Sequence, residues 1–227
     1  MGERPIRAEG RHATGLRERN KWKRREAILD ATVGLLRERE FSDVTIEEVA
    51  ALAEVSPHTV YNLIGPRDQL AYQLMGRVVW RMAKTAPLPD VVPEDPSEGL
   101  RAVTDHGVDA LIAEPTAYRC IVRAVSSLPE WPTDGRESFD VYDKAARMLD
   151  EAGALRPGIT YRVVSRHTIL GMFGAMMAWA RGQSDERFRI DARLNLALVL
   201  ASTTTGVAQV RAMGDVQELG RGAQQLS

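Results

Sequence analysis

Apolar side chains recur every three or four residues along most of the chain, which is the spacing of amphipathic α-helices. Strand-like alternation and internal repeats are absent, so we predict an all-α protein. The spacing and the flanking prolines and glycines predict helices over about residues 20–39, 46–53, 57–62, 67–83, 97–113, 115–128, 133–151, 160–182 and 190–213. Gly214, Gly220 and Gly222 after the last of these predict a polar tail.

The stretch 45–62, TIEEVAALAEVSPHTVYN, carries the sharpest signals for helix starts. Thr45 precedes an apolar run and has Glu48 three residues later, which is the spacing of a capping box. Ser56 is a favoured N-cap residue, and Pro57 stands at the first helical position, where its missing N–H has no intrahelical partner. These residues predict two short helices joined by a tight turn.

The spacing within this stretch is that of a helix-turn-helix. Ala50 falls where the two helices cross and only a small side chain fits, Glu54 falls in the turn, and Val60 points back to the first helix. The other side chains of the second helix are polar and free of the core: His58, Thr59, Tyr61 and Asn62. Such a helix can enter a major groove and hydrogen-bond to bases and phosphates. The alternative is a helical hairpin that binds nothing.

Residues 24–70 resemble the N-terminal domain of TetR-family transcriptional regulators. The matching segments are Ile28-Leu29-x-Ala31, Phe41 to Thr45, Glu48-Val49-Ala50, Val55-Ser56, Thr59-Val60-Tyr61 and Arg67-Asp68-x-Leu70. The resemblance implies an all-helical homodimer in which residues 1–66, a basic arm and a three-helix head, bind a palindromic double-stranded DNA operator. It implies that residues 67–227 form a larger helical domain that dimerises and binds a small-molecule effector, which releases the DNA and relieves repression.

The resemblance also implies DNA contacts for individual residues. Contacts to phosphates are implied for Ser56, Tyr61 and Arg67, and Lys23 and Arg24 are expected to contact DNA as part of the basic N-terminal segment. Contacts to base edges are implied for His58, Thr59 and Asn62, among which an asparagine suits adenine. Thr45 corresponds to the residue whose helix N-terminus meets the DNA backbone. The alternative for each of them is that an exposed polar residue on a helix needs no function.

Several positions depart from the family pattern. Glu40 and Glu54 stand where glycine is usual, and a non-glycine residue with positive φ at the turn costs on the order of 1 kcal/mol. Leu63 stands where a histidine often contacts a phosphate, and it cannot make that contact. Arg67 replaces the usual lysine and keeps its charge. These changes weaken single contacts and leave the frame of the domain intact.

The net charge of −1 hides a basic N-terminus. Residues 4–25 contain nine basic and two acidic residues, a net charge of +7. Next to a helix-turn-helix, such a segment is expected to lie along phosphates or to enter a minor groove, although a solvated tail is the usual alternative. Residues 1 to about 19 lack periodicity, so we expect them to be disordered without DNA. Trp22 is expected on the apolar side of the following helix.

The helix predicted over 160–182 carries Met172, Met176 and Trp179 on one face. Flexible methionines beside a large aromatic ring suit an adaptable pocket for an apolar effector. Further candidates to line that pocket are His106, Tyr118, Trp131, Phe139, Tyr142 and His167. The alternative is that all of these side chains form a plain hydrophobic core.

Small residues form a second stripe on the same helix, at Gly171, Ala175, Ala178 and Gly182. The last predicted helix has a mixed stripe of Leu194, Leu198, Ala201, Thr205 and Ala208. Small side chains let another helix approach closely, so these two stripes predict a four-helix dimer interface. Packing of the same helices within one subunit is the alternative.

The sequence offers little that suggests an enzyme. It contains no phosphate-binding loop, no dinucleotide fingerprint, no HExxH and no G-x-S-x-G, so we predict no catalytic residues and no cofactor.

The single Cys120 excludes an internal disulfide and is expected to be buried. Asp105, His106 and Asp109 lack a matching second group, so no metal site is predicted. No apolar run could span a membrane and no secretory signal is visible, so a cytoplasmic location is expected. The alternatives to a regulator are an all-helical enzyme of unknown type and a DNA-binding protein that has lost ligand response.

Overall fold

The computed structural model describes residues 9–127 and 136–225, and these residues confirm the all-α prediction. They form ten helices: α1 (Glu9–Leu36), α2 (Ile46–Leu52), α3 (Pro57–Leu63), α4 (Arg67–Thr85), α5 (Glu98–Ile112), α6 (Pro115–Ser126), α7 (Arg136–Glu151), α8 (Tyr161–Ala180), α9 (Asp185–Thr203) and α10 (Gly206–Gln225). Among them no helix is both long enough and apolar enough to cross a membrane.

The chain divides into two compact units between Gln73 and Leu74, inside α4. The first unit contains α1, α2, α3 and the start of α4. Its core is built from the apolar faces of all four helices: Ile28, Leu29, Leu36, Val49, Ala50, Val60, Ile64, Leu70 and Ala71. Ala50 and Val60 are thus buried in the positions that the helix-turn-helix spacing predicted.

The N-terminus of α1 differs from the prediction. The helix begins at Glu9 rather than near residue 20, so the expected disorder is wrong for residues 9–19. Arginine, leucine, glutamate and lysine dominate residues 16–26, and these residues favour a helix even where no apolar face requires one. Trp22 was also misplaced, since 57% of it is exposed.

The second unit buries one cluster contributed by α5, α7, α8, α9 and α10. Its members are Leu100, Val103, Val141, Tyr142, Ala145, Ala146, Leu149, Val164, Leu196, Leu200, Ala208 and Ala212. Cys120 on α6 is buried, as predicted.

The connector between α4 and α5 contains a buried carboxylate that the sequence reading missed. Asp95 accepts hydrogen bonds from the backbone N–H and the hydroxyl of Ser97, at 2.9 Å and 2.6 Å, and from Arg211 at 2.9 Å. Burial alone would raise the pKa of Asp95, but the Ser97 hydrogen bonds and the nearby guanidinium groups outweigh it and lower the pKa. The connector is therefore tied to α5 and to α10.

The last predicted helix is two helices, and the predicted polar tail is wrong. Thr203 and Thr204 donate their hydroxyls to carbonyls four residues earlier, and the backbone at Thr204 becomes extended. Thr204 then forms an isolated antiparallel β-bridge with Leu155, and Gly206, the first residue of α10, adopts a φ of 64°. Threonine hydroxyls that bond to the preceding turn compete with a straight helix. The three glycines assigned to a tail, at positions 214, 220 and 222, lie within α10.

Candidate nucleic-acid interface and apolar cavity

The predicted capping box at the start of α2 is present. Thr45 Oγ1 accepts the Glu48 backbone N–H at 3.2 Å, and Glu48 Oε2 accepts the Thr45 N–H at 3.0 Å. Arg39 also donates to the Glu48 carboxylate, at 2.9 Å. The Thr45 N–H, followed by Arg39, lowers the pKa of Glu48 to about 2. Glu48 is therefore ionised at neutral pH and holds the N-terminus of α2 in place.

The turn between α2 and α3 contains the strained residue that its spacing predicted. Glu54 has a φ of 54°, and Val55 N–H donates to the Ala50 carbonyl at 2.9 Å. Ser56 then caps α3, because its Oγ accepts the Thr59 N–H at 3.2 Å, and Pro57 occupies the first turn. The turn and the cap together fix the direction in which α3 leaves α2.

The side chains of α3 divide sharply between inside and outside. Val60 is fully buried at 0% exposure, whereas its neighbour Tyr61 is 50% exposed. His58 and Asn62 are exposed, and Thr59 is half-buried with its hydroxyl 2.9 Å from Ser56 Oγ. The first unit therefore presents a polar helix face, and a face of this kind can lie in a DNA groove.

Arg67, another of the predicted DNA contacts, is half-buried. Its guanidinium lies 5.0 Å from the centre of the Phe41 ring and donates to the Phe41 carbonyl. This arrangement links the turn before α2 to the first residue of α4. The remaining predicted contacts, Lys23, Arg24, Thr45 and Ser56, are exposed.

A small apolar cavity of about 30 Å³ lies in the second unit. Its lining comes from α4, α5 and α7: Val79, Met82, Ala83, Val103, His106, Val141 and Tyr142. His106 Nε2 is 2.8 Å from Thr85 Oγ1. Two of the predicted pocket residues, His106 and Tyr142, therefore meet at one site.

Gly107 shows how closely the side chains around this cavity converge. A Cβ added there would lie 2.9 Å from Met82 Cε, 3.7 Å from Met172 Cε and 3.8 Å from Tyr142 Oη. Met172 therefore joins the predicted group around the cavity. Gly107 and Met82 were missed, because nothing local marks a glycine inside a helix as a point of close approach.

Trp179 belongs to a different cluster. Its ring stacks on Phe188 with centroids 5.1 Å apart, lies 4.7 Å from the Arg119 guanidinium, and donates its N–H to Asp185 at 2.7 Å. The Trp179 hydrogen bond, followed by the Arg119 hydrogen bond and charge, lowers the pKa of Asp185 against the effect of burial. Trp179 is thus a residue of the hydrophobic core, which was the alternative to its predicted place in a ligand pocket.

The other pocket candidates are not seen at the cavity. Met176 is buried and Tyr118 is half-buried, and neither is among the lining residues. His167 is exposed on α8. Trp131 and the side chain of Phe139 lie outside the described residues.

Solved structures of transcriptional regulators share this arrangement of helices. SmeT, the repressor of the Stenotrophomonas maltophilia multidrug efflux pump SmeDEF, matches with a TM-score of 0.63 at 22% identity, over 81% of this chain and 92% of its own. A TetR transcriptional regulator from Rhodococcus sp. RHA1 matches with a TM-score of 0.56 at 22% identity, over 76% and 94%. TylP, a TetR regulator from Streptomyces fradiae, matches with a TM-score of 0.56 at 18% identity, over 88% and 97%. The chain has the TetR-family fold. No protein-family model matches it, and no curated protein matches it in sequence.

Part of the helix stripes predicted to pair two subunits of this TetR fold packs within one chain. A Cβ at Gly171 would lie 1.9 Å from the Asn195 side chain, so α9 fills that groove of α8. Ala175 and Ala208 are buried as well. Leu198 of the second stripe remains 52% exposed, and the other exposed apolar side chains on α8 and α10 are Val163, Leu170, Val207, Val210 and Met213.

Two acidic residues of α5 in this TetR fold, Asp105 and Asp109, form ion pairs with α9. Arg193 contacts both oxygens of Asp105, at 2.6 Å and 3.0 Å, and Arg189 contacts Asp109 at 2.6 Å. The Asp105 hydrogen bond raises the pKa of Arg193. Within residues 9–127 and 136–225, no group of three potential metal ligands is present. These carboxylates therefore join two helices, a role that the sequence analysis did not predict.

Proposed function

We propose that the protein is a homodimeric DNA-binding transcriptional regulator, a repressor that a small apolar or amphipathic molecule releases from a palindromic operator. The observation that carries this proposal is the polar outer face of α3, held by the caps of Thr45 and Ser56 on a buried frame. The TetR-family fold of the chain supports it, because the structures with that fold are described as regulators and repressors. In cells the protein would act in the cytoplasm, where the DNA is.

Charge on α1 supports DNA as the partner. Residues 15–24 are exposed, and Arg17, Arg19, Lys21, Lys23 and Arg24 lie among them. Basic side chains that neutralise phosphates release counterions, which makes binding strongly dependent on salt. We therefore assign α1 to backbone contacts and the outer face of α3 to base readout. Glu54 is exposed in the turn and opposes this charge.

Two subunits are needed because one recognition helix reads few base pairs. Two-fold pairing would set two α3 helices roughly 34–36 Å apart, one turn of DNA. The apolar side chains left exposed on α8 and α10 support this pairing, with Leu170 at 54% and Val210 at 73% exposure. We propose that these two helices, rather than the small-residue stripes, meet the partner subunit.

The dimer proposal has a matched pair of variants. Val210→Asp places a charge on the proposed interface and is expected to give a single-chain mass in light scattering, with weakened DNA binding. Val91→Asp changes an equally exposed valine, 74%, in the α4–α5 connector and should leave the dimer intact. A Val210→Asp protein that stays dimeric would remove α10 from the interface.

Ligand control is proposed to act through α4. Val79, Met82 and Ala83 on this helix line the cavity, while Arg67 at its start lies against Phe41. An effector that fits only a shifted α4 would favour the DNA-free state, and about 1–3 kcal/mol of differential binding is typical of such coupling. The small size of the cavity favours a second candidate, a DNA-binding regulator without ligand response.

The proposal is tested by selection of preferred sequences from random double-stranded DNA, followed by fluorescence anisotropy at increasing salt. A regulator should enrich a palindrome with half-sites one helical turn apart, and its affinity should fall steeply as salt rises. Enrichment of no sequence would refute the proposal. A selected operator also provides the probe for release by candidate effectors, which separates the two candidate functions.

A further inference from the structure

The cavity beside Tyr142 also indicates which kind of molecule it takes, and this inference rests on the proposed function. We propose that the effector is a compact, uncharged and largely apolar molecule with one carbonyl oxygen, which accepts a hydrogen bond from the Tyr142 hydroxyl. The inference combines three features: an unpaired buried hydroxyl donor, a lining without lysine or arginine, and two methionine side chains that can move, Met82 in the lining and Met172 beside Gly107.

The donor is the clearest of these features. Tyr142 is 6% exposed and Thr104 is 1% exposed, and their hydroxyls are near each other. Among the described residues these two hydroxyls have no partner other than each other, and a bond between them uses one of their two O–H donors and leaves the second unpaired. Buried hydroxyls are nearly always hydrogen-bonded, because an unpaired one has lost its hydrogen bonds to water and gained none within the protein. A carbonyl oxygen placed at Tyr142 Oη would satisfy that donor.

The charges around the cavity select against an anion. Burial raises the pKa of Tyr142 to about 12, and the Asp105 carboxylate also raises it, so the phenol is a neutral donor at physiological pH. Asp105 is itself paired with Arg193 on α9. Apart from His106, whose Nε2 is 2.8 Å from Thr85 Oγ1, the lining is apolar or phenolic. A carboxylate would lose its hydration there and meet no lysine or arginine in the lining, whereas a ketone would lose far less hydration.

The methionines set the size of the ligand. The space present is about 30 Å³, roughly that of a single water, so a ligand must displace side chains. Met82 Cε and Met172 Cε both reach Gly107, beside Tyr142 Oη. Methionine side chains rearrange readily because they are unbranched. A single ring is therefore the scale of molecule that two displaced methionines would admit.

The test uses the full chain with methyl-labelled methionine and three probes of the same shape: acetophenone, α-methylstyrene and benzoate. Acetophenone should shift the Met82 and Met172 methyl resonances, α-methylstyrene should bind about five-fold more weakly because it lacks the carbonyl, and benzoate should not bind at neutral pH. Tyr142→Phe should abolish the preference for acetophenone over α-methylstyrene. Tyr118→Phe, which changes a tyrosine outside the cavity lining, should retain it.

A second variant tests whether the ligand binds beside Gly107, and it keeps the Tyr142 hydroxyl. Gly107→Ala places a methyl group 2.9 Å from Met82 Cε, and it should weaken acetophenone at least as much as Tyr142→Phe does. Absence of acetophenone binding at 10 mM, stronger binding of benzoate, or an unchanged preference in a folded Tyr142→Phe protein would each overturn the inference. These binding measurements are made without DNA, so they are independent of operator binding. If acetophenone bound with the stated preferences but did not release the operator, the inference about ligand chemistry would stand. The proposal that a ligand controls DNA binding would then be refuted.

Discussion

Two adjacent residues of α3 allow stability and DNA binding to be separated. Val60 is fully buried in the first unit's core, and its neighbour Tyr61 is half-exposed on the outer side of the same helix. If α3 is a recognition helix held by its buried side, truncation of each residue to alanine should affect a different property. Thr59 would be a less selective choice, because its hydroxyl is 2.9 Å from the Ser56 cap.

The expected magnitudes follow from burial. Val60→Ala removes two methyl groups from a site with 0% exposure and should lower the free energy of unfolding by about 2–3 kcal/mol, the transfer and cavity terms combined. Tyr61→Ala should change it by roughly 0.5 kcal/mol or less, as is usual for exposed sites. In DNA binding the order reverses, because loss of one phosphate or base contact weakens each subunit by about 1–3 kcal/mol, on the order of ten-fold or more.

The assay pairs urea unfolding, followed by circular dichroism, with anisotropy on a DNA sequence selected by the protein. The binding measurement is made well below the urea range in which Val60→Ala unfolds. Tyr61→Ala should bind at least ten-fold more weakly than wild type, and the native fraction of Val60→Ala should bind within a few-fold. If Tyr61→Ala unfolded as easily as Val60→Ala, Tyr61 would be part of the core. If it bound DNA like wild type, the outer face of α3 would not be the reading surface.

The cap, a titrating carboxylate and the basic arm give three smaller tests. Thr45→Ala should lower the free energy of unfolding by about 1 kcal/mol in urea, and an unchanged midpoint would mean that this cap contributes nothing. Since the folded pKa of Glu48 is about 2 against an ordinary value of 4.5, its stabilising effect is present above pH 4.5 and is lost as pH falls toward 2. The stability difference between wild type and Glu48→Gln should shrink over that range, and a constant difference would contradict the assignment. Deletion of residues 1–19 should reduce the slope of log affinity against log salt by about 0.9 per lost phosphate contact, whereas an equal slope would show that the arm does not touch DNA.

The features that the sequence predicted well are those with short-range causes. The capping box joins Thr45 to Glu48, and the second cap joins Ser56 to Thr59, so each needs residues only three positions apart. The left-handed conformation of Glu54 follows from the same local spacing. Chain geometry alone settles such interactions, which is why the helix-turn-helix was predicted almost residue by residue.

Interactions between distant residues escaped prediction because several partners were equally plausible. Arg67 and Phe41 are 26 positions apart, and nothing near either of them favours their contact over a contact between Arg67 and a phosphate. The pairing of Asp105 with Arg193, 88 positions away, was missed for the same reason. Long, charged side chains reach many partners, so their roles depend on the tertiary fold.

The small-residue stripe on α8 shows how a correct physical inference can name the wrong partner. Gly171 does mark a close helix approach, but Asn195 from α9 of the same chain fills the space. Once that groove is occupied, the surface remaining for a second subunit consists of side chains that the chain's own helices leave uncovered, such as Leu170 and Val210. A periodic pattern reports that a helix face is covered, and only the assignment of all intramolecular contacts shows which faces remain for a partner. This reasoning moves the expected dimer contact from Gly171 to Leu170 and Val210, and it makes the contrast between Val210→Asp and Val91→Asp the decisive comparison.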